Sequence, residues 1–214
     1  MNAAKWVLSR EMFLDEEEVA LLRKHLVHER ERAITQSQER EAMTNELLVN
    51  SLIFSGLRNS EFCRLRLSET VLGTGESSFR VRERRGGIRT VFVPDFVSEM
   101  IRHYAMAFRS WRISQEIDPD DLSCELLLNS RGRPYERTGL YRRIVKILTA
   151  AGFGDRASVQ FLRHTYGFLG YQRSGGNLLF LQKQMGHVHP MVTSVYAEFV
   201  DEDYGQLANV VGGQ

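Results

Sequence analysis

Lysine is nearly missing from this chain of 214 residues: 24 of its 28 basic side chains are arginine, and no lysine stands between Lys24 and Lys146. Cysteine is rarer still. Cys63 and Cys124 are too few and too isolated for a disulfide framework or a metal site. A reducing, cytoplasmic setting is therefore expected. The 4 prolines are scattered, with no Pro/Ser-rich linker, no internal repeat and no low-complexity tract, so a single domain is expected. No run approaches ~18 consecutive apolar residues, which excludes a membrane-spanning helix. Residues 1–18 mix charges and lack the apolar core of a signal peptide.

What is present is an ordinary globular composition, 43% hydrophobic, long enough to bury a sizeable core. The net charge of +1 hides an uneven distribution. Residues 1–70 hold 10 basic and 12 acidic side chains, and 197–214 carry Glu198, Asp201, Glu202 and Asp203 with no base. Arg80, Arg82, Arg84, Arg85 and Arg89 cluster against one glutamate, and Arg131, Arg133, Arg137, Arg142, Arg143 and Lys146 against another. Charge runs usually end as solvated surface. The arginine bias points instead to a localised polyanion-binding face, because a guanidinium fork grips phosphate through two hydrogen bonds and an ammonium cannot.

Periodicity predicts a mainly helical domain with one small antiparallel sheet. Leu14 to Glu18 reads as a cap and acidic first turn, followed by Val19, Leu21, Leu22 and Leu26 at helical spacing. Residues 29–42 could extend that helix or form a loop. Helices are expected over 43–54, ending near Gly56, over 59–67, capped by Asn59 or Ser60, and over 96–111. Between them, Phe79, Val81, Val91 and Val93 alternate with polar residues around Gly86-Gly87, which predicts a hairpin closed by Pro94. Leu126 to Leu128 reads as a short buried extended run before a turn. Further helices are expected over 138–151, 158–171, 178–185 and 190–199, with one more possible over 204–211.

The chemistry lies in four places. Ser55-Gly-Leu-Arg58-Asn-Ser-Glu61 puts an arginine at a helix start with an acid three residues on. Gln160-Phe-Leu-Arg163-His164-Thr165 puts a second arginine in an apolar helix. Gly186-His187 follows 23 residues after Arg163, and Thr193-Ser-Val-Tyr196 places a tyrosine 9 residues after His187. Taken singly, each is ordinary: an i, i+3 Arg–Glu pair, or a tyrosine in a core. Together they supply two cations to neutralise a phosphodiester, a hydrogen-bond donor and a nucleophile. A phenol ionises only near pH ~10, so such a tyrosine must be activated and the phosphate's charge offset before attack.

This ordered set resembles the tyrosine recombinase (phage-integrase) family, over about Leu14 to Phe199. The resemblance implies the catalytic-domain architecture of that family and carries roles to particular residues. Arg58 and Arg163 clamp the scissile phosphate, Glu61 orients Arg58, His187 donates to the phosphate and Tyr196 is the nucleophile. His164 is expected to be a packed, hydrogen-bonded histidine without a catalytic role. Two positions depart from the pattern. Gln160 stands where the family has His, and an amide cannot exchange a proton near neutral pH. The hairpin carries no lysine; Arg85 occupies the nearest position, with Arg84 and Arg82 as competitors. An arginine stays protonated, so it can stabilise an alkoxide but donates protons poorly.

The resemblance further implies double-stranded DNA as substrate, no metal or other cofactor, and a homotetramer on two duplexes, with the C-terminal segment (200–214) packing between neighbours. It also implies accessory DNA-bending proteins as further partners and a nucleoid-associated location. Arg82, Arg84, Arg89, Arg142 and Arg143 are the expected DNA contacts. No separate N-terminal DNA-binding domain fits in the chain, which reads as a catalytic fragment or a compact member. The expected reaction is site-specific cleavage and rejoining through a 3′-phosphotyrosyl intermediate. The alternatives are a DNA-binding regulator on the same fold with weak or lost cleavage, and a type IB topoisomerase-like enzyme.

Overall fold

A computed structural model describes residues 8–34, 38–83 and 86–200. The first helix, α1 (Glu16–Ile34), starts where Asp15 and Glu18 cap each other: the Glu18 amide donates to Asp15 Oδ1 at 2.8 Å and the Asp15 amide to Glu18 Oε2 at 3.0 Å. Val19, Leu22 and Leu26 face the core, whereas Leu21 is 62% exposed and lies off that stripe. The charged run after residue 29 continues the helix to Ile34; residues 35–37 lie outside the described set.

The second helix, α2 (Glu39–Ser55), starts four residues before the expected Met43 and ends at Gly56, whose φ of 61° closes it in the left-handed conformation. It is buried along most of its length and packs against α1 and three later helices, α5 (Asp95–Ala107), α7 (Arg137–Ala150) and α8 (Val159–Arg173). Its buried residues include Thr44, Glu46, Asn50, Ser51 and Ser55 beside the apolar set, so it is enclosed on most sides, as the central helix of a bundle is.

Several helices expected as single pieces are broken. The segment 59–67 gives only α3 (Asn59–Phe62), then a 3₁₀ turn (Leu67–Glu69) and α4 (Val71–Thr74). Its N-cap is Arg58, not Asn59 or Ser60: Glu61 reaches back to the Arg58 amide at 2.8 Å, and Asn59 Nδ2 instead donates to the Arg137 carbonyl. The helix after the hairpin breaks at Phe108 into α5 and α6 (Arg109–Ser114). Leu126 to Leu128 forms isolated bridges, with Glu125 opposite Arg66 and Leu128 opposite Pro134. The segment 190–199 divides into α10 (Met191–Ser194) and a 3₁₀ turn (Ala197–Phe199). The region 204–211 lies outside the described residues.

The hairpin forms as expected. Strands β1 (Ser78–Arg82) and β2 (Ile88–Phe92) pair antiparallel, with Phe79 opposite Val91 and Val81 opposite Arg89. Gly86 and Gly87, at φ 83° and 101°, supply the turn. The helix α8 is capped by Ser158, whose hydroxyl accepts from the Phe161 amide at 3.0 Å. The helix α9 (Leu178–Met185) ends at Gly186, φ 62°, and packs against both α8 and β2. The ends of α2, α8, α9 and β2 thereby converge.

Candidate active site

Arginine geometry dominates the point of convergence. Three consecutive carbonyls at the C-terminus of α9 each accept from a different arginine. Gln184 O accepts from Arg89 Nε at 3.2 Å, Met185 O from Arg163 Nη2 at 2.8 Å and Gly186 O from Arg58 Nη2 at 3.0 Å. The last turn of a helix leaves its carbonyls without intrahelical donors and carries the negative end of the dipole, so guanidinium groups settle there. Arg163 also donates Nη1 to Gly56 O, which ties α8 to the end of α2. Gly56 cannot carry a side chain there, since a Cβ would stand 2.4 Å from the Tyr166 ring.

Glu61 is the carboxylate that joins two of these arginines. Arg58 Nη1 donates to Oε1 at 2.9 Å, while Arg89 grips both oxygens at 2.9 Å each. Burial alone would raise the Glu61 carboxyl; hydrogen bonds from Arg89 and the Arg58 amide, together with the charges of both arginines, bring it below its usual range. Arg163 is 4% exposed. Burial, reinforced by Arg58, brings its guanidinium down to about 10, low for arginine yet still protonated at neutral pH. Three guanidinium groups around one carboxylate leave an excess of positive charge, the electrostatics of an anion site.

His187 follows Gly186 directly and is half-buried. Its Nδ1 lies 2.9 Å from Thr193 Oγ1, which is fully buried on α10. Desolvation, together with the charges of Arg163 and Arg58, lowers the imidazole to about 3, so it is neutral at physiological pH. Thr193 orients this ring; the sequence names it as the first residue of the Thr193–Tyr196 segment, one helical turn before Tyr196, but gives it no role.

Tyr196 is 2% exposed. Its hydroxyl lies 3.0 Å from His164 Nδ1, and its ring rests on Gly167 so closely that a Cβ there would stand 2.1 Å from Tyr196 Cζ. Burial raises the phenol to about 12, partly offset by the charge of Arg163. Burial and Arg163 lower His164 to about 4. The pair is a hydrogen bond between neutral groups. His164 is packed and hydrogen-bonded, as expected, and its partner is the expected nucleophile.

The structure thus brings Arg58, Glu61, Arg163, His187 and Tyr196 into one neighbourhood. Gln160 is exposed on the first turn of α8, and no hydrogen bond ties it to this cluster. Arg84 and Arg85 lie outside the described residues. Of the expected DNA contacts, Arg82 is 61% exposed beside Glu69 and Arg142 is exposed. Two others turn inward. Arg89 shares the inner hairpin face with Val81 and Val91, and its side chain is 10% exposed. Arg143 binds Asn45, the Tyr135 hydroxyl and the Glu41 carbonyl, stapling α7 to α2. Arg131, Arg133, Arg137 and Lys146 remain exposed near α7. Beside α3, an open cleft of about 740 Å³ is lined by Asn59, Arg64, Tyr135, Arg137, Thr138 and Tyr141 among others.

The architecture is that of tyrosine recombinase catalytic domains. The structure of the XerH site-specific recombinase bound to difH substrate superposes with a TM-score of 0.69 at 20% identity, covering 98% of this chain and 55% of that one. The catalytic domain of bacteriophage HP1 integrase superposes with a TM-score of 0.52 at 18% identity, covering 92% and 93% of the two chains. The chain belongs to the phage integrase family, whose model matches residues 14–202. Among curated relatives, tyrosine recombinase XerH of Helicobacter pylori is 24% identical over 169 residues, covering 78% of this chain and 44% of that protein. Tyrosine recombinase XerC of Halalkalibacterium halodurans is 29% identical over 154 residues, covering 72% and 50%. The chain thus spans about half the length of the curated relatives it matches.

Proposed function

We propose that this chain carries the strand-cleaving domain of a site-specific DNA recombinase. The observation behind this reading is the convergence of Arg58 and Arg163 beside a Glu61 whose charge Arg89 already offsets, with His187 and Tyr196 next to them. A scissile phosphate enters this cluster as the missing anion. Arg58, whose side chain is 43% exposed, meets it first, and Arg163 completes the clamp. Their charge-assisted hydrogen bonds strengthen as charge builds on the non-bridging oxygens. With Nδ1 accepting from the Thr193 hydroxyl, neutral His187 keeps its Nε2 proton to donate to the phosphate.

Tyr196 Oη then attacks phosphorus. The P–O5′ bond breaks, the phenolic proton leaves, and the freed 5′ oxygen takes up a proton. The product is a 3′-phosphotyrosyl link, which the 5′ hydroxyl of a partner strand reverses. One ester is exchanged for another at each step, so no nucleotide cofactor is consumed. In the present structure the Tyr196 hydroxyl faces His164, and it must turn outward to reach a bound phosphate. Double-stranded DNA is the substrate of this reading, and four copies on two duplexes, assisted by DNA-bending proteins where the site requires them, are the assembly it implies. Arg85 would stabilise the leaving oxygen by charge, and Gln160 fills the family's histidine position with an amide that can hydrogen-bond but not exchange a proton.

The test is covalent trapping on nicked duplexes, including DNA flanking the gene. The wild type should give an SDS-resistant adduct that Tyr196→Phe abolishes; an adduct of equal yield in that variant would refute the assignment. The exposed Gln160 and the lysine-free hairpin motivate a second reading, a DNA-binding protein with weak cleavage. Under that reading Gln160→His with Arg85→Lys raises adduct formation sharply, and no gain counts against it.

A further inference from the structure

Arg89 was expected on the DNA-binding face, and its surroundings say otherwise. It sits on the inner face of the hairpin, opposite Val81, with its side chain 10% exposed. All three guanidinium nitrogens are engaged: Nη1 and Nη2 on the two oxygens of Glu61 at 2.9 Å, and Nε on Gln184 O at 3.2 Å. The same Glu61 holds Arg58 through Nη1 and through the backbone amide at 2.8 Å. The α9 terminus that receives Arg89 also receives Arg58 and Arg163 on its next two carbonyls. Arg89 further lies over Gly186, where a Cβ would stand 3.0 Å from its Cζ. One side chain therefore ties β2, α3 and the α9 terminus together, and the His187 turn begins at that terminus.

Resting on the recombinase reading above, we propose that Arg89 is a positioning residue of the phosphate site, which fixes Arg58 through Glu61 and holds the Gly186–His187 turn, and that it makes no contact with DNA. A carboxylate shared by two arginines has its rotamer set by the more buried one. Without Arg89, Glu61 keeps only its bonds to the Arg58 amide and side chain, nothing links that pair to β2 and the α9 terminus, and the clamp loses the geometry in which phosphate is received. Arg58 remains charged and exposed, so DNA affinity stays and the cleavage rate falls. A misplacement of ~1 Å in such a site costs on the order of 10²-fold in rate.

The experiment measures the rate of adduct formation against nicked-duplex concentration for wild type, Arg89→Ala, Arg89→Lys, Glu61→Gln and the Arg89→Ala/Glu61→Gln double variant. The salt dependence of duplex binding is measured alongside. Arg89→Ala should slow the saturated rate by about 10²-fold while the half-saturating concentration and the salt slope stay unchanged. Arg89→Lys should recover part of the rate, because it restores charge without the fork. The double variant should be no slower than Glu61→Gln alone, the signature of two residues acting in series.

Additive losses would overturn the inference. So would a salt slope lowered by about one in Arg89→Ala, which marks a lost phosphate contact. If Arg89→Ala does not fold, Arg89→Lys carries the same test: a slowed saturated rate at unchanged slope supports the inference, and wild-type rate overturns it. If the wild type forms no adduct, the recombinase reading fails, and the salt slope still decides whether Arg89 touches DNA.

Discussion

Tyr196 is stored against glycine. Its ring occupies the space a side chain at position 167 would fill, with a Cβ there 2.1–2.5 Å from three ring atoms. Gly167→Ala should therefore drive Tyr196 from its seat and destabilise the fold by about 1–3 kcal/mol through overpacking. Nitration of Tyr196 by tetranitromethane reads this directly: it should rise well above wild type, and equal protection would show that the seat is wrong. The two histidines predict a pH effect. His164, near 4, and His187, near 3, lie below the free imidazole value of 6.5, so the unfolded chain binds more protons once pH falls under about 6.5. Burying them neutral costs nothing above that pH and progressively more below it. The melting temperature should fall between pH 7 and 5, less so in His164→Asn; an equal fall in both proteins would assign the loss to other groups. At this scale the sequence exposes identities but not partners. Arg58, Arg163, His187 and Tyr196 could be named from spacing. That His164 meets the Tyr196 hydroxyl could not, since 32 residues and two helices separate them.

Elements were legible where one signal acted alone. The helix α9 runs over Leu178–Met185 as its periodicity and terminal glycine indicate, and the hairpin follows its alternation. That same alternation carried a message about Arg89: counting by twos from Val93 and Val91 puts it on the inner face. Local charge density obscured this, because a cluster of arginines reads as surface. Elements failed where competing signals met, as at Phe108 and within 190–199, where continuous apolar spacing concealed breaks set by tertiary packing. Gly186 offers an element-scale test. It closes α9 at φ 62° and leaves room for Arg89, so Gly186→Ala meets both backbone strain and the guanidinium. A loss of about 1 kcal/mol or more in chemical denaturation is expected. Recovery of that loss in Gly186→Ala/Arg89→Ala would show that the clash is with Arg89, and no recovery would leave strain alone as the cause.

At the scale of the molecule, a near-neutral net charge conceals a site with concentrated positive charge and a row of exposed bases, Arg131, Arg133, Arg137, Arg142 and Lys146, on and before α7. Duplex binding should weaken steeply with salt despite the net charge of +1, and Arg137→Ala together with Arg142→Ala should flatten the dependence by about two ions. A salt-independent affinity would contradict a phosphate-binding face. The class of fold was readable from helical periodicity with one hairpin. The relatives extend over about twice the length this chain matches, and no helix among the described residues is long and apolar enough to cross a membrane.

On this reading Tyr196 is the nucleophile that takes up the 3′ phosphate. The most direct measurement is to digest the trapped protein–DNA adduct with protease and nuclease and locate the nucleotide remnant by mass spectrometry. The account predicts a phosphodiester remnant on the peptide containing Thr193 to Phe199, placed on Tyr196 and joined through a 3′ phosphate. A remnant on Tyr166, on any other residue, or joined through a 5′ phosphate would contradict it.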